Sequence, residues 1–430
     1  MIVRRALSSK LAALKYGGMR FDFKSMEANL PYLKQNALNR QSDTDPSKVQ
    51  SLWQRYKKQL FEVEQMRKRK NQHASTLPPT ASAKEQHREQ GKYLKTDLEK
   101  MEQGLTALES ELMQTALTLP NLTHPDVPLT EPKLIELRNQ RKPENWFLDH
   151  LELGKIHDLF DFDTASDITG SKFVIYKNQA VLLEQALINW ALQHIATKGY
   201  RLLAPPDICR QEILAGCGFR PRDPAGQIYN LEGGKLSLIG TAEIPLAGLY
   251  ANSSLERDKL PLRLGGLSHC FRMEAGKGGL SKGLYRLHQF TKVEMFTYCL
   301  PDHSEQEHQA MLAIQQELLD QLNLPYRVLD MPCNDLGASA YRKYDIEVFM
   351  PSRKDYGEVT STSNCTDYQS VRLNTMLSGP DKTPVHTVNG TACAVPRIML
   401  SLLEWYQQPD HSIQVPECLR RFLPFATISR

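Results

Sequence analysis

Phe271-Arg272-Met273-Glu274-Ala275-Gly276-Lys277-Gly278-Gly279 is followed, two residues on, by Lys282-Gly283-Leu284-Tyr285-Arg286-Leu287-His288-Gln289-Phe290. This reads as strand, glycine-rich loop, strand. Residues two apart on a strand project to one face, so Arg272 and Glu274 are expected side by side. An arginine there can clamp a phosphate or a carboxylate through paired hydrogen bonds. Lys277, Lys282 and Arg286 add the positive charge a polyphosphate requires, and Phe290 offers a ring on which a base stacks. An Arg-x-Glu pair alone is equally an ordinary hairpin ion pair; the whole spaced set points to an anionic nucleotide.

Around this segment, from about residue 130 to the end, helical patterns alternate with short strand patterns. Strands are expected at Phe173–Tyr176, Lys292–Phe296, Tyr326–Leu329 and Asp345–Met350. A helix is expected over Val181–Thr197, with Leu182, Ala186, Leu187, Trp190 and Ile195 facing the core. Neither a Walker loop nor a dinucleotide fingerprint is present. The fold expected is therefore α+β: a mixed, mostly antiparallel sheet carrying helices.

Upstream, Val49, Trp53, Tyr56, Leu60 and Val63 recur at 4-3-4-3 spacing. So do Leu94, Leu98, Met101, Leu105, Leu108, Leu112 and Leu119, with Thr115 filling one seam position. A 3.5-residue period lines such side chains along one seam for a partner helix. Ser75–Thr80 interrupts the two runs, which predicts an antiparallel two-helix hairpin with Pro78 and Pro79 near its tip. Arg67, Lys68, Arg69 and Lys70 lie toward that tip. A charge run on a helix is ordinarily a solvated face; on a protruding arm it also suits phosphates along an RNA backbone. Pro120, Pro125 and Pro128 make the following segment a stiff, extended linker.

The chain has 430 residues, 41% apolar and 24% charged, with 53 basic and 49 acidic side chains for a net charge of +4. These values exclude a disordered chain and a fibrous repeat, and the charge is too mild to identify a nucleic-acid partner by itself. The eight cysteines are scattered, as free thiols of a reducing compartment would be. Residues 1–20 contain Arg4, Arg5, Lys10, Lys15 and Arg20 and no acid, beside Ser8 and Ser9 and a helical repeat of Leu7, Leu11 and Leu14. That is the composition of a mitochondrial transit segment, against the alternative of an ordinary basic tail.

Phe271–Gly276 with Lys282–Phe296 resembles motif 2 of the class II aminoacyl-tRNA synthetases, and of the seryl-tRNA synthetases in particular. Thr241-Ala242-Glu243 is similar to that family's serine-binding T-x-E. Glu358-Val359-Thr360-Ser361-Thr362-Ser363-Asn364 is similar to the segment that meets ATP and a metal. His386–Arg397 resembles motif 3, in a form closest to the mitochondrial branch, and Tyr406-Gln407-Gln408 and Val415-Pro416 also fit. The resemblance runs through nearly the whole chain. It divides the sequence into a transit segment at 1–20, a coiled-coil tRNA-binding arm at 21–122 and a class II catalytic domain at 123–430.

What the resemblance implies is a serine–tRNA ligase of the mitochondrial matrix. It would form seryl-adenylate from serine and ATP and pass the seryl group to tRNA(Ser). Arg272 would bridge the α-phosphate and the serine carboxylate, and Arg397 would hold the γ-phosphate end of a bent ATP. Phe290 would stack on adenine, with the Leu287 backbone and Glu274 at its edge and Met273, Val359 and Thr360 completing the ATP site. Glu358, assisted by Ser361, would bind Mg²⁺. Thr241, Ala242, Glu243, Glu294 and Thr391 would join Arg272 around serine. Arg67, Lys68, Arg69 and Lys70 would meet tRNA. The family's dimer, through motif 1 around Gly199–Pro206, implies a homodimer, or a heterodimer with a paralogue. Lys282 stands where the family has arginine, Thr391 where it has serine, and Pro396 and Ile398 flank Arg397 in place of glycine and threonine. Two other readings are an inactive paralogue that binds tRNA or a partner subunit, and a coiled-coil interaction protein. The second leaves the motif residues unexplained.

Overall fold

The computed structural model describes residues 14–16, 19–21, 23–76, 80–219, 228–273, 282–380 and 383–429. It separates into two compact units, Met1–Pro120 and Asn121–Arg430.

The first unit is dominated by two long helices, α1 (Pro46–Ser75) and α2 (Ala81–Leu117). The Asp45 carboxylate caps α1 by accepting from the Ser47 N–H at 2.8 Å, with Pro46 at the first helical position. At 1.5 Å per residue the helices run about 45 and 55 Å. Val49, Trp53, Tyr56, Leu60 and Val63 of α1 are buried against Leu98, Leu105, Leu108 and Leu112 of α2, as the heptad pattern predicts. Near its foot the seam departs from that pattern. Met113 and Ala116 are fully buried, while Thr115 is half-buried and returns its hydroxyl to the Glu111 carbonyl at 2.8 Å. A hydroxyl that bonds its own helix needs no partner helix, and the small Ala116 allows closer approach. Pro78 and Pro79, expected at the tip, lie outside the described residues.

The second unit is built on one eight-stranded sheet. Its principal elements are β1 (Lys133–Arg138), α3 (His150–Ile156), α4 (Gln179–Thr197), β2 (Arg201–Leu203), α5 (Glu243–Gly248), β3 (Leu262–Phe271), β4 (Gln289–Cys299), α6 (Ser304–Gln321), β5 (Tyr326–Asp330), β6 (Arg342–Met350), β7 (Asp355–Thr366), β8 (His386–Ala394) and α7 (Val395–Tyr406). The strand order is β1-β5-β6-β7-β8-β4-β3-β2, antiparallel throughout except for the β3–β2 pair. This is the α+β, mostly antiparallel sheet that the sequence predicts. β4 lies in its interior, and its alternation separates two layers. Val293 and Met295 pack with α4, α6 and α7, whereas Phe296 and Tyr298 pack with α5 on the other face. Lys292 and Glu294 share the parity of Phe296 and Tyr298.

Two expectations are revised. Leu182 is 43% exposed, and α4 buries Leu183 instead, with Ala186, Leu187, Ile188, Trp190 and Ile195. The other four expected residues are buried as read, and only the first position shifts, where α4 meets both β4 and α7. The proline-rich segment is not a free spacer. Asn121 donates to the Ser339 and Cys365 carbonyls at 2.8 Å each, the Ala338 carbonyl receives the Asn121 N–H at 2.8 Å, and Tyr341 receives that of His124 at 3.0 Å. Prolines that cannot donate leave the neighbouring amides to pin this stretch to the catalytic unit.

Candidate active site

A cavity of about 380 Å³ opens over β4, β7 and β8 on the face that Lys292 and Glu294 share. It is lined by Thr241, Glu243, Arg272, Phe290, Glu294, Glu358, Ser361, Thr391 and Arg397, drawn from five separate segments. A β-bulge makes one corner of it. Val293 pairs with Cys393, but Glu294 pairs with Thr391, so β8 carries Ala392 as an extra residue. The bulge turns the Thr391 hydroxyl toward Glu294, where it donates to Oε2 at 3.3 Å.

The corner is densely polar and buried. Glu243 accepts from the Gln369 amide at 2.6 Å and the Asn389 amide at 3.1 Å. Burial raises its carboxyl to about 7, Glu294 adds to the rise, and Lys292 opposes it. Lys292 forms an ion pair with Glu294 and donates to Thr241 Oγ1 at 3.0 Å and Thr391 Oγ1 at 3.3 Å. The sequence reading passed over Lys292, although its alternation with Glu294 could have exposed it. Ala242, expected at the serine site, turns its methyl into the core, where it packs against Gly266.

The opposite end is cationic. Arg397, in the first turn of α7, donates from Nη1 to the Glu358 carbonyl at 2.7 Å and to its Oε2 at 3.3 Å, and from Nε to the Tyr285 carbonyl at 3.2 Å. Its guanidinium lies 4.6 Å from the centre of the Tyr285 ring. Burial alone would raise the Glu358 carboxyl, but Arg397, Lys343 and Arg272 outweigh it and hold the group near 2. Arg272 stands between the two ends. It donates from Nε to the Gly240 carbonyl at 3.2 Å, and its guanidinium sits 5.3 Å from the Phe290 ring centre. The strand ends at Phe271, so Arg272 begins the loop, and Glu274 and Lys277 lie outside the described residues. Arg272 lies just past the strand end, and the face expected of it with Glu274 lies outside the described residues.

The remaining expected residues divide. Leu287 and Val359 are buried and line the cavity, as does the half-buried Ser361. Thr360 also lines it, but its hydroxyl is committed to the Thr391 carbonyl and the Gln315 amide. Met273 is 44% exposed and Lys282 is exposed.

Three further charged side chains, Lys343, Asp345 and Glu404, escaped the sequence reading. Lys343 pairs with Asp345 at 2.8 Å beside Glu358. Burial pushes the Asp345 carboxyl to about 7 against the pull of Lys343. Glu404, fully buried on α7, accepts from the His150 ring at 2.9 Å and from the Ser352 hydroxyl and N–H at 2.7 and 3.0 Å. The other His150 ring nitrogen receives the Leu284 N–H at 3.3 Å. His150 and Glu404 are 254 positions apart, and no local pattern links them.

On the arm, Lys68 and Arg69 are exposed and Lys70 is half-buried. Arg67 is engaged: its Nε and Nη2 donate to Glu102 Oε1 at 2.8 and 2.7 Å, tying α1 to α2.

A family profile described as "tRNA synthetase class II core domain (G, H, P, S and T)" matches residues 229–406, and one described as "Seryl-tRNA synthetase N-terminal domain" matches residues 21–123. A serine–tRNA ligase of Rubrobacter xylanophilus is 43% identical over 408 residues, covering 93% of this chain and 96% of its own. One of Treponema denticola is 40% identical over 419 residues, covering 95% and 99%. The crystal structure of seryl-tRNA synthetase from Pyrococcus horikoshii complexed with ATP superposes with a TM-score of 0.83 at 30% identity, covering 95% of this chain and 99% of that one.

Proposed function

The chain belongs to the seryl-tRNA synthetase family of class II aminoacyl-tRNA ligases, and from that premise we propose that it charges tRNA(Ser) with serine in the mitochondrial matrix. The observation that carries the reading is the polarity of the cavity. Buried carboxylates and hydroxyls gather at one end, Arg397 stands at the other, and Arg272 lies between them.

Both reactants are anionic where they react. A serine carboxylate oxygen attacks the α-phosphorus, the bond to the bridging oxygen breaks, and pyrophosphate leaves. Catalysis is then charge neutralisation and in-line placement. Arg272 meets the serine carboxylate and the α-phosphate, Arg397 meets the distal phosphates, and Phe290 supports adenine. Thr241, Glu243, Glu294 and Thr391 receive the serine ammonium and hydroxyl. The seryl group then passes from the adenylate to the terminal ribose of tRNA.

Glu358 and Ser361 fit Mg²⁺. Among the described residues no three acidic, histidine or cysteine side chains converge as a cage, and one carboxylate plus phosphate oxygens and water is what this hard cation takes. The ion would neutralise phosphate charge. Glu358 is held ionised by its cationic neighbours, as a ligand must be.

The acid-free segment 1–20 supports import into mitochondria. Leu202, an exposed apolar residue within the motif 1 stretch, supports a homodimer. Lys68 and Arg69 support tRNA contact by the arm. Serine-dependent ATP–pyrophosphate exchange tests the chemistry, and its absence with folded protein refutes it. A reporter fused behind residues 1–20 tests the compartment: matrix delivery is expected, and a cytosolic reporter refutes it.

A further inference from the structure

We propose that Lys292 is the specificity-determining residue that reads the serine hydroxyl, through a buried ammonium whose three donors are all met by protein oxygens and which a substrate side chain carrying an acceptor can re-partner. The inference rests on serine being the substrate and names a group that the family resemblance did not assign.

The argument is a count. An ammonium has three N–H donors and no acceptor. Those of Lys292 go to Thr241 Oγ1 at 3.0 Å, Thr391 Oγ1 at 3.3 Å and the Glu294 carboxylate. The side chain is 7% exposed, so water offers no ready substitute. Its three acceptors are the groups placed around the amino acid. They are also occupied in other ways: Thr241 Oγ1 receives the Glu243 N–H at 3.2 Å, and the Thr391 hydroxyl donates to Glu294. Thr241 Oγ1, whose two lone pairs are both taken, has none left for a substrate donor, so an amino acid that donates to it takes an acceptor from Lys292. A hydroxyl repairs the loss, because it can accept from the ammonium while donating to Glu294. The methyl of alanine cannot, and it leaves a buried charged donor unpaired. A cationic side chain fails for a second reason, since it brings like charge against Lys292 in a dry corner.

The test is amino-acid-dependent pyrophosphate exchange by the full-length wild type and by Lys292→Met. The amino acids are serine, alanine and 2,3-diaminopropionate, the last assayed below the pKa of its side-chain amine so that it donates but cannot accept. The wild type is expected to use serine and reject the other two. In Lys292→Met the serine-to-alanine ratio of kcat/KM should fall about 10- to 100-fold, the scale of one unpaired buried donor. Diaminopropionate, now facing Glu243 and Glu294 without the lysine, should compete with serine at least about tenfold better than it does in the wild type. A ratio within twofold of the wild-type value overturns the proposal. So does wild-type binding of diaminopropionate equal to that of serine, an arm that stands even if Lys292→Met fails to fold. A folded wild type with no serine-dependent exchange would instead overturn the functional reading, and this proposal with it.

Discussion

His150→Ala tests whether a buried carboxylate far from the substrate sets the geometry of the ATP end. Glu404 is fully buried and is shared by three segments: the start of α3, the turn carrying Ser352, and α7 itself. His150 extends this hold to a fourth, because its second ring nitrogen accepts the Leu284 N–H. The chain passes so close there that a Cβ on Gly283, whose φ is +60°, would lie 2.2 Å from that nitrogen. The next residue, Tyr285, presents its carbonyl and ring to Arg397. Removing the imidazole deletes a hydrogen bond to a charged group, worth about 1.5–3 kcal/mol, and leaves the Leu284 donor unpaired, at about 1–3 kcal/mol. The sum is about 2.5–6 kcal/mol. For a unit of this size it should lower the thermal midpoint by about 4–9 °C. Loosening Tyr285 should raise the KM for ATP about fivefold, the equivalent of one ordinary hydrogen bond, with the KM for serine within twofold of wild type. Differential scanning calorimetry and pyrophosphate exchange on the same variant decide the matter. A midpoint shift under about 2 °C, or equal changes in both KM values, refutes the reasoning.

Replacing Lys68 and Arg69 by alanine should weaken tRNA binding and reduce the slope of log K against log salt by about 1.4–1.8, with pyrophosphate exchange unchanged; Arg67 is left in place because its loss would also free Glu102. Arg272→Lys should lower pyrophosphate exchange by about 100-fold or more, since an ammonium lacks the planar fork that meets a carboxylate and a phosphate together; near-normal exchange refutes the clamp. Glu243 carries a carboxyl raised to about 7 by burial, so between about pH 4.5 and 7 the folded state keeps a proton that the unfolded state has released, and stability falls as pH rises. Glu243→Gln should flatten that fall in denaturation series at pH 5 and pH 7.5, with the residual slope from Asp345, raised in the same sense.

The stretch from Phe271 to Phe290 made the site legible because an anionic substrate imposes its demands locally. Arginines, glycines and a stacking ring must follow one another within a single hairpin, and a sequence displays such crowding directly. The arm was legible for a similar reason: a long seam repeats its rule many times, so one misplaced position, Thr115, does not disturb it. Leu182 shows the limit of periodicity. The ladder through 182, 186 and 190 is buried at 186 and 190 and fails only at its first rung, where Leu183 takes the buried place, a choice made by where β4 and α7 lie. Arg67 shows the same limit for charge, because its fate depends on Glu102 in the facing helix. Lys292, Asp345 and Glu404 follow from a further rule. Charges that face a substrate have to be balanced or anchored from behind, and those counter-groups answer to packing in three dimensions. Lys292 pairs with Glu294 from the same strand, Asp345 pairs with Lys343 behind Glu358, and Glu404 reaches His150 across 254 residues. The first shell of such a site is written where the substrate touches the chain. The groups that keep it ionised and in place are written wherever the fold happens to bring a partner, and only the last of them needs the whole fold to be seen.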